Sequence, residues 1–502
     1  MGEAADQQSG DASSIASSHA LEAIVTLGGI QALTMLAGLA RTKVLALLLG
    51  PGGLGMVSVI DQLVSLITQI GSLSLPFAAL KFLSRDGVEE REQFARSYRA
   101  LVLALLAATA SAAGVALVLA AVRPQLLGSD LGPYRAPLVA ALLGVPALAA
   151  FPMLRNVLAS LVRYRESGAF AFGNAVALVA TTYVGVRVGG LTGMYLGNLL
   201  VGVLSTVAIA IYLWRAYGLR LRVRGESPVK VLRAHPGLVA FSTSMYVLAF
   251  TSPTTYLVSR LVVLSHQGMV AVGLLSAAYG VGLALRVVLT QANQQFLTPL
   301  VNRRIGVEAR AVAVSEYLRV LMVILVAGGM AVVLFPRLWV TLLYSHRFAE
   351  AAGYLFAFVM SEIILLVAGV YTALLIGYDD LRGFVALTVV SNLVTIGLTI
   401  LIVPRLGPFG VGLAFLAGNG VMMVLSMARL ATRHAARAAG QAMKYVVAAL
   451  ALLGAAGWWA TDPHGPPVAW RIVAYVLGSG AFLGLLNPQE RRWMLTPWRR
   501  RG

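Results

Sequence analysis

The sequence predicts an all-α, polytopic membrane protein: about fourteen transmembrane helices in two pseudo-symmetric six-helix lobes, with two further helices at the C-terminal end. Three observations predict it. Hydrophobic residues fill 59% of the 502 positions and charged residues only 12%, where soluble domains carry roughly 25% charge. Apolar runs long enough to cross a ~30 Å hydrocarbon layer, about 20 residues each, recur from Leu21 to Leu486. Polar residues inside those runs also repeat at a nearly constant spacing.

The first eighteen residues are polar and carry Glu3, Asp6 and Asp11 without a lysine or arginine. A cleaved signal peptide needs a positive leading region, so the first apolar segment is expected to stay. Spans are expected near 21–49, 54–80, 100–122, 136–160, 168–187, 191–214, 237–259, 270–298, 313–335, 351–376, 384–403, 410–430, 445–460 and 468–486. They divide the chain into a polar tail (1–18), an N-lobe (19–214), a basic linker (215–236), a C-lobe (237–432), and two last helices with a basic tail (433–502).

The net charge of +19 comes from 39 Lys and Arg against 20 acids. With the N-terminus in the cytoplasm, 26 of the 39 fall in inner segments, eight in outer ones, and five (Arg41, Lys43, Arg155, Arg286, Arg319) within spans. Positive residues accumulate on the cytoplasmic side, so both termini are expected in the cytoplasm. The basic stretch 215–237 is read as a topology anchor in contact with anionic lipid and not as a nucleic-acid patch. Membrane lipids are expected partners and nucleic acid is not.

Several chemistries are excluded or disfavoured. With no cysteine there is no disulfide, thiolate metal site or cysteine nucleophile. None of the four lysines (Lys43, Lys81, Lys230, Lys444) stands in a G-K-[ST] context, so there is no P-loop. The six histidines form no metal-ligand pattern. The longest outer connections, 123–135 and 336–350, are too short to hold a catalytic domain. No enzyme, cofactor or metal is expected.

The two halves repeat. Asn174 pairs with Asn392, Asn198 with Asn419, Arg41 with Arg260 and Pro76 with Pro299, at offsets of 218, 221, 219 and 223. Each match is weak alone; four at nearly one offset argue for a duplicated six-span unit. Six is even, so the halves are expected to be parallel repeats, as in many transporters.

A charge at a helix centre costs about 2.5–3.5 kcal/mol on insertion scales, so the intramembrane polar residues are candidates. Tyr279, Arg286, Thr290 and Asn293 share one face of span eight; Asp61, Ser65, Thr68 and Ser72 share one face of span two. They line a wet cavity or form interhelical hydrogen bonds. Lys43 and Asp61 stand nine residues either side of Gly52, at one depth of a hairpin. They are an ion-pair candidate that leaves Arg41 to attract an anion. Asp61 and Glu362 are also candidates for a coupling proton, as is Glu22; Asp379-Asp380 is read as a turn cap.

KVLALLLGPGGLGMVSVIDQLVSLI (43–67), with its K-x-x-A-x-x-x-G-P-x-G-x-G pattern, LLYSHRFAEAAGYLFAFVMSEIILLVAGV (342–370) and RLGPFGVGLAFLAG (405–418) resemble Wzx-type polysaccharide flippases. The O-antigen and enterobacterial common antigen flippases are the nearest in kind. The resemblance covers most of 20–430 and not the last two spans. It implies the MATE-like fold of the multidrug/oligosaccharidyl-lipid/polysaccharide exporters. It implies transfer of an oligosaccharide on undecaprenyl diphosphate from the inner to the outer leaflet of a bacterial inner (plasma) membrane. Arg286, Arg41, Thr290, Asn293, Ser65 and Ser72 are then the cavity candidates, with H+ or Na+ as coupling ion and other polysaccharide-assembly proteins as partners. The competing readings are a cation-coupled multidrug antiporter on the same fold, with Asp61 as its carboxylate, and a membrane enzyme of envelope glycan assembly.

Overall fold

The structure is a computed structural model that describes residues 3–76, 79, 83, 91–122, 129–161, 163–220, 236–292, 297, 301, 306–434, 440–461 and 466–484. Of 3–29, 31, 91, 93, 129–131, 236–244, 287–292 and 461 it describes the helix path alone. Contacts group the chain into two units. The first takes Met1–Leu48 and Ile60–Pro253; the second takes Leu49–Val59 and Thr254–Gly502.

The first unit contains α1 (Glu3–Ser72) outside 49–59, α2 (Arg91–Val122), α3 (Arg135–Leu143), α4 (Val145–Ser160), α5 (Tyr164–Tyr217) and the start of α6 (Pro236–Ala292). The second contains the rest of α6, α7 (Val307–Leu334), α8 (Pro336–Leu343), α9 (Ala352–Gly377), α10 (Leu381–Arg433), α11 (Met443–Thr461) and α12 (Val468–Gly484). Among the described residues nine helices are long and apolar enough to cross a membrane.

Four of them are long enough to cross twice. α1, α5, α6 and α10 run 70, 54, 57 and 53 residues; at 1.5 Å per residue even the shortest would reach about 80 Å if straight. Each bends at glycine: Gly50 (φ 66, ψ −173), Gly190 (φ 58, ψ −142), Gly268 (φ 79, ψ −177) and Gly407 (φ 57, ψ −144). That part of backbone space is nearly closed to residues with a Cβ. The bends match in pairs. Gly50 and Gly268 share one conformation 218 positions apart, and Gly190 and Gly407 share the other 217 apart. The bent helices thus carry predicted spans one with two, five with six, seven with eight, and eleven with twelve.

Three predicted boundaries shift. Helix α1 begins at Glu3, so the polar tail is helical, and it stops at Ser72 because Leu73 and Ser74 turn left-handed (φ 48 and 55). Span four is broken into α3 and α4 at Gly144, where Pro146 sits in the first turn of α4 and lacks an N–H for α3.

Lipid tails are as apolar as leucine, so helices in a bilayer associate through close packing more than through burial. In the first unit Tyr98, Leu101 and Leu105 of α2 pack against Met153, Leu154, Val157 and Leu158 of α4, with Ile209 and Leu213 of α5. In the second unit α9 is central. Of its most apolar stretch 78% is buried, against 22% for α10 and, in the first unit, 17% for α5, so the last two face outward. α11 and α12 pack on α7 through small residues: a Cβ on Gly329 would stand 3.0 Å from Leu453, and one on Gly478 2.8 Å from Met330. Arg471 of α12 donates to the Leu334 carbonyl at the C-terminal end of α7 at 2.9 Å, satisfying an acceptor the helix itself leaves open.

Candidate functional site

The first unit holds a cavity of about 380 Å³ whose largely apolar wall carries a group of polar side chains. Arg41 from the first arm of α1 lines it, with Asp61, Ser65, Thr68 and Gln69 from the second arm, Asn174 from α5, and Tyr195 and Asn198 beyond the α5 bend. Three of the four residues of the α1 stripe, Asp61, Ser65 and Thr68, line it. Arg41 Nε donates to Thr182 Oγ1 at 3.0 Å, and the Tyr195 hydroxyl donates to Asp61 Oδ1 at 2.9 Å. Asn198 Oδ1 is buried with no hydrogen-bond partner among the described residues. Ser65 and Thr68 line the wall, while Ser72 lies beyond it and donates to the Gln69 carbonyl of its own helix. Lys43 is not among the lining residues.

The second unit gathers a different cluster. Arg286 Nε stands 3.1 Å from Glu362 Oε2, on α6 and α9, and Arg286 Nη2 donates to the Tyr279 hydroxyl at 3.3 Å. The sequence suggested these two charges separately; the fold brings them together, so Arg286 has a carboxylate counter-charge. Tyr279 packs against Tyr256 at 5.2 Å and Phe358 at 6.1 Å between ring centres. Glu362 is 3% exposed and the Arg286 side chain 23%, so the carboxylate is the buried partner of the pair, in an aromatic setting. The Thr290 side chain and all of Asn293 lie outside the described residues, as does the Glu22 side chain.

Two groups were missed by sequence reasoning. Ser58, in the α1 tip that belongs to the second unit, accepts from Arg260 Nε and from Ser276 Oγ, the latter at 2.7 Å. Arg260 also donates to the Tyr256 carbonyl at 3.1 Å. Ser58 and Ser276 are 218 residues apart, so the repeat offset itself was the available signal. Tyr195 and Thr182, which hold Asp61 and Arg41, carried no such mark.

At the basic end of the second unit Asp380 does cap α10, accepting from the Gly383 N–H at 3.1 Å. It also takes both Nε and Nη2 of Arg429, at 2.5 and 2.9 Å, and lies 3.1 Å from His434 Nε2. This clasp joins the two ends of the bent α10. The Arg429 hydrogen bonds hold the Asp380 carboxyl well below the usual carboxylate range. A carboxyl depressed in the folded state adds stability above its unfolded value, near 3.9, and that stability is lost as pH falls toward the folded value. Asp380→Asn should therefore cost about 1–3 kcal/mol at pH 7, and the difference from wild type should narrow below about pH 4. Thermal unfolding of the purified protein at both pH values checks this; an undiminished gap at low pH would contradict the clasp.

The chain matches no protein-family model and no curated protein. Among solved structures it is similar to the lipid II flippase MurJ in an inward closed conformation, with TM-score 0.65 and 12% identity over 91% of this chain and 98% of that one. An inward-facing multidrug resistance MATE family transporter of the MOP superfamily gives 0.59 and 15% over 83% and 99%. The Vibrio cholerae MATE transporter VcmN in its bent form gives 0.55 and 13% over 84% and 98%. At such identities the likeness is one of fold: this is an all-α, multi-pass membrane protein with the fold those transporters share.

Proposed function

We propose that the protein is a flippase that moves an oligosaccharide on undecaprenyl diphosphate from the inner to the outer leaflet of a bacterial plasma membrane by alternating access. The reading is of a transporter and not an enzyme, with both termini cytoplasmic as the arginine bias implies. The observation that carries it is the state of Arg41. Its guanidinium lines a membrane-embedded cavity, and its hydrogen bond goes to the neutral hydroxyl of Thr182. Among the described residues no ion pair involves it. A cation held at that depth without a carboxylate of its own suits an anionic group, and a diphosphate can take a guanidinium through two oxygens at once. The fold comparison adds support. The lipid II flippase match covers 91% of 502 residues, more than the 433 that end α10, so it reaches α11.

Arg41→Lys should transport poorly, because it keeps the charge and loses the fork, and Arg41→Ala should hardly transport at all. The assay is surface display of glycan in a strain lacking its own flippase, with membrane levels of each variant measured alongside. Full complementation by a well-expressed Arg41→Ala would overturn the role given to this cavity.

A second reading, a cation-coupled multidrug antiporter, is favoured by one observation. Asp61 lines the same cavity and is held by Tyr195, as a carboxylate that binds H+, Na+ or a drug cation would be. Transport of an organic cation that Asp61→Asn abolishes, without any glycan display by wild type, would decide for it.

A further inference from the structure

The two arms of α5 do not pack along their whole length. At the bend they touch backbone to backbone: a Cβ on Gly193 would stand 2.3 Å from the Gly185 carbonyl oxygen, and one on Gly185 2.6 Å from that of Gly193. Toward the basic end they part around a second cavity of about 490 Å³, lined by Glu166, Phe170 and Gly173 on one arm and Leu204, Ala208 and Tyr212 on the other. Gly173, Leu204 and Ala208 are exposed, so the cleft opens on the outer surface of this unit.

The equivalent helix of the second unit is closed. In α10, Ser391 Oγ donates to the Gly418 carbonyl at 2.9 Å, a Cβ on Gly418 would meet Thr395 Oγ1 at 1.9 Å, and Asp380 clasps Arg429 at the basic end. At the 218-residue offset of the first arm Ser391 corresponds to Gly173 and Asp380 to Val162, and at the 221-residue offset of the second arm Arg429 corresponds to Ala208. The first repeat lacks the side chains that zip the second. The cleft is thus written into the sequence, and α5 presents it where a bilayer would.

We propose that this cleft is the seat of an anionic phospholipid of the leaflet on the basic side, with one acyl chain between the α5 arms and its phosphate on Arg163 and Arg215. The walls suit hydrocarbon: Phe170 and Tyr212 meet edge to face at 5.8 Å and the rest of the lining is mostly small or aliphatic. The mouth suits an anion. Arg163, the non-helical residue before α5, reaches the cleft-lining Glu166 with its guanidinium, and Arg215 stands three residues after Tyr212 on the same helical face, so both lie at the mouth. Both are exposed. The acid at the mouth, Glu166, is already within 3.7 Å of Arg163. A chain lying toward the bend with its head at the arginines has the orientation of a lipid in that leaflet, and basic residues at such a surface each favour anionic lipid.

The test uses the full-length protein in detergent micelles, with phosphatidylglycerol and phosphatidylcholine of identical chains. Lipid retained in native mass spectrometry and the melting temperature are read together. Wild type should keep one phosphatidylglycerol and melt higher with it, and do neither with phosphatidylcholine. Gly173→Phe fills the cleft; no atom lies within 4 Å of a Cβ built there, so the variant should fold and lose both responses. Ala208→Phe, from the other arm, should do the same. Arg163→Gln with Arg215→Gln should lower the phosphatidylglycerol preference about tenfold or more. Equal retention of the two lipids by wild type, or undiminished retention by both cleft-filling variants, would overturn the proposal. So would displacement of phosphatidylglycerol by an equal amount of polyprenyl phosphate, which would give the cleft to the tail of a transported lipid.

Discussion

Glu362→Ala should be the most damaging single substitution in the second unit. It removes the counter-charge 3.1 Å from Arg286 and leaves a guanidinium among Tyr279, Tyr256 and Phe358. Breaking a buried pair from one side costs about 3–5 kcal/mol, whereas replacing both partners with apolar groups of similar volume is often neutral. The expected pattern is a low membrane level and a depressed melting temperature for Glu362→Ala and for Arg286→Ala. Both properties should recover in Arg286→Met combined with Glu362→Leu. If Glu362→Ala is as stable as wild type, the pair contributes nothing to folding. Glycan display by the double variant then separates two roles for Arg286. Display at wild-type level makes the arginine structural; loss of display from a stable double variant leaves it in the path of the substrate.

The next largest effect is expected at Gly273. Within the second unit the α1 tip crosses α6 immediately after both bends. A Cβ on Gly273 would lie 1.9 Å from the Pro51 carbonyl oxygen, and one on Gly55 would lie 2.2 Å from that of Met269. The obstacle in each case is backbone, which cannot rotate aside as a side chain can. One turn further along, the Ser58 and Ser276 hydroxyls hydrogen-bond at 2.7 Å, so widening the crossing also breaks that contact. Overpacking ordinarily costs about 1–3 kcal/mol, and Gly273→Val should lie at or above the upper end. Gly397→Ala, where a Cβ meets nothing within 4 Å, is the matched control and should be indistinguishable from wild type in melting temperature and transport. A Gly273→Val protein as stable as that control would remove the close crossing.

The fold lay open in the sequence because a bilayer imposes one dominant rule. Every crossing must be apolar for about 20 residues and must satisfy its backbone internally, so hydropathy alone pointed to an all-helical, multi-pass protein. The duplication was read from polar residues in an apolar background, and the glycine bends recur with paired dihedrals at similar offsets of 218 and 217 residues. The bends themselves were not foreseen as continuous helices turning on single residues, since hydropathy does not report φ.

The candidate sites were legible only in part. Arg41, Asp61 and Ser65 were singled out because charge and hydroxyls in lipid need a reason, and the cavity of the first unit collects all three. The sequence by itself determined the class of protein, its two-fold repeat and which residues are anomalous in a membrane, all of which follow from local composition. Only the tertiary structure decided what each anomalous residue meets. Arg286 meets Glu362, Asp61 meets Tyr195, Arg41 meets Thr182, and Asp380 closes an end of α10 that the first repeat leaves open. A one-dimensional period tells which helix face a side chain occupies; the rotation and neighbours of that helix are set by the packing of all the others.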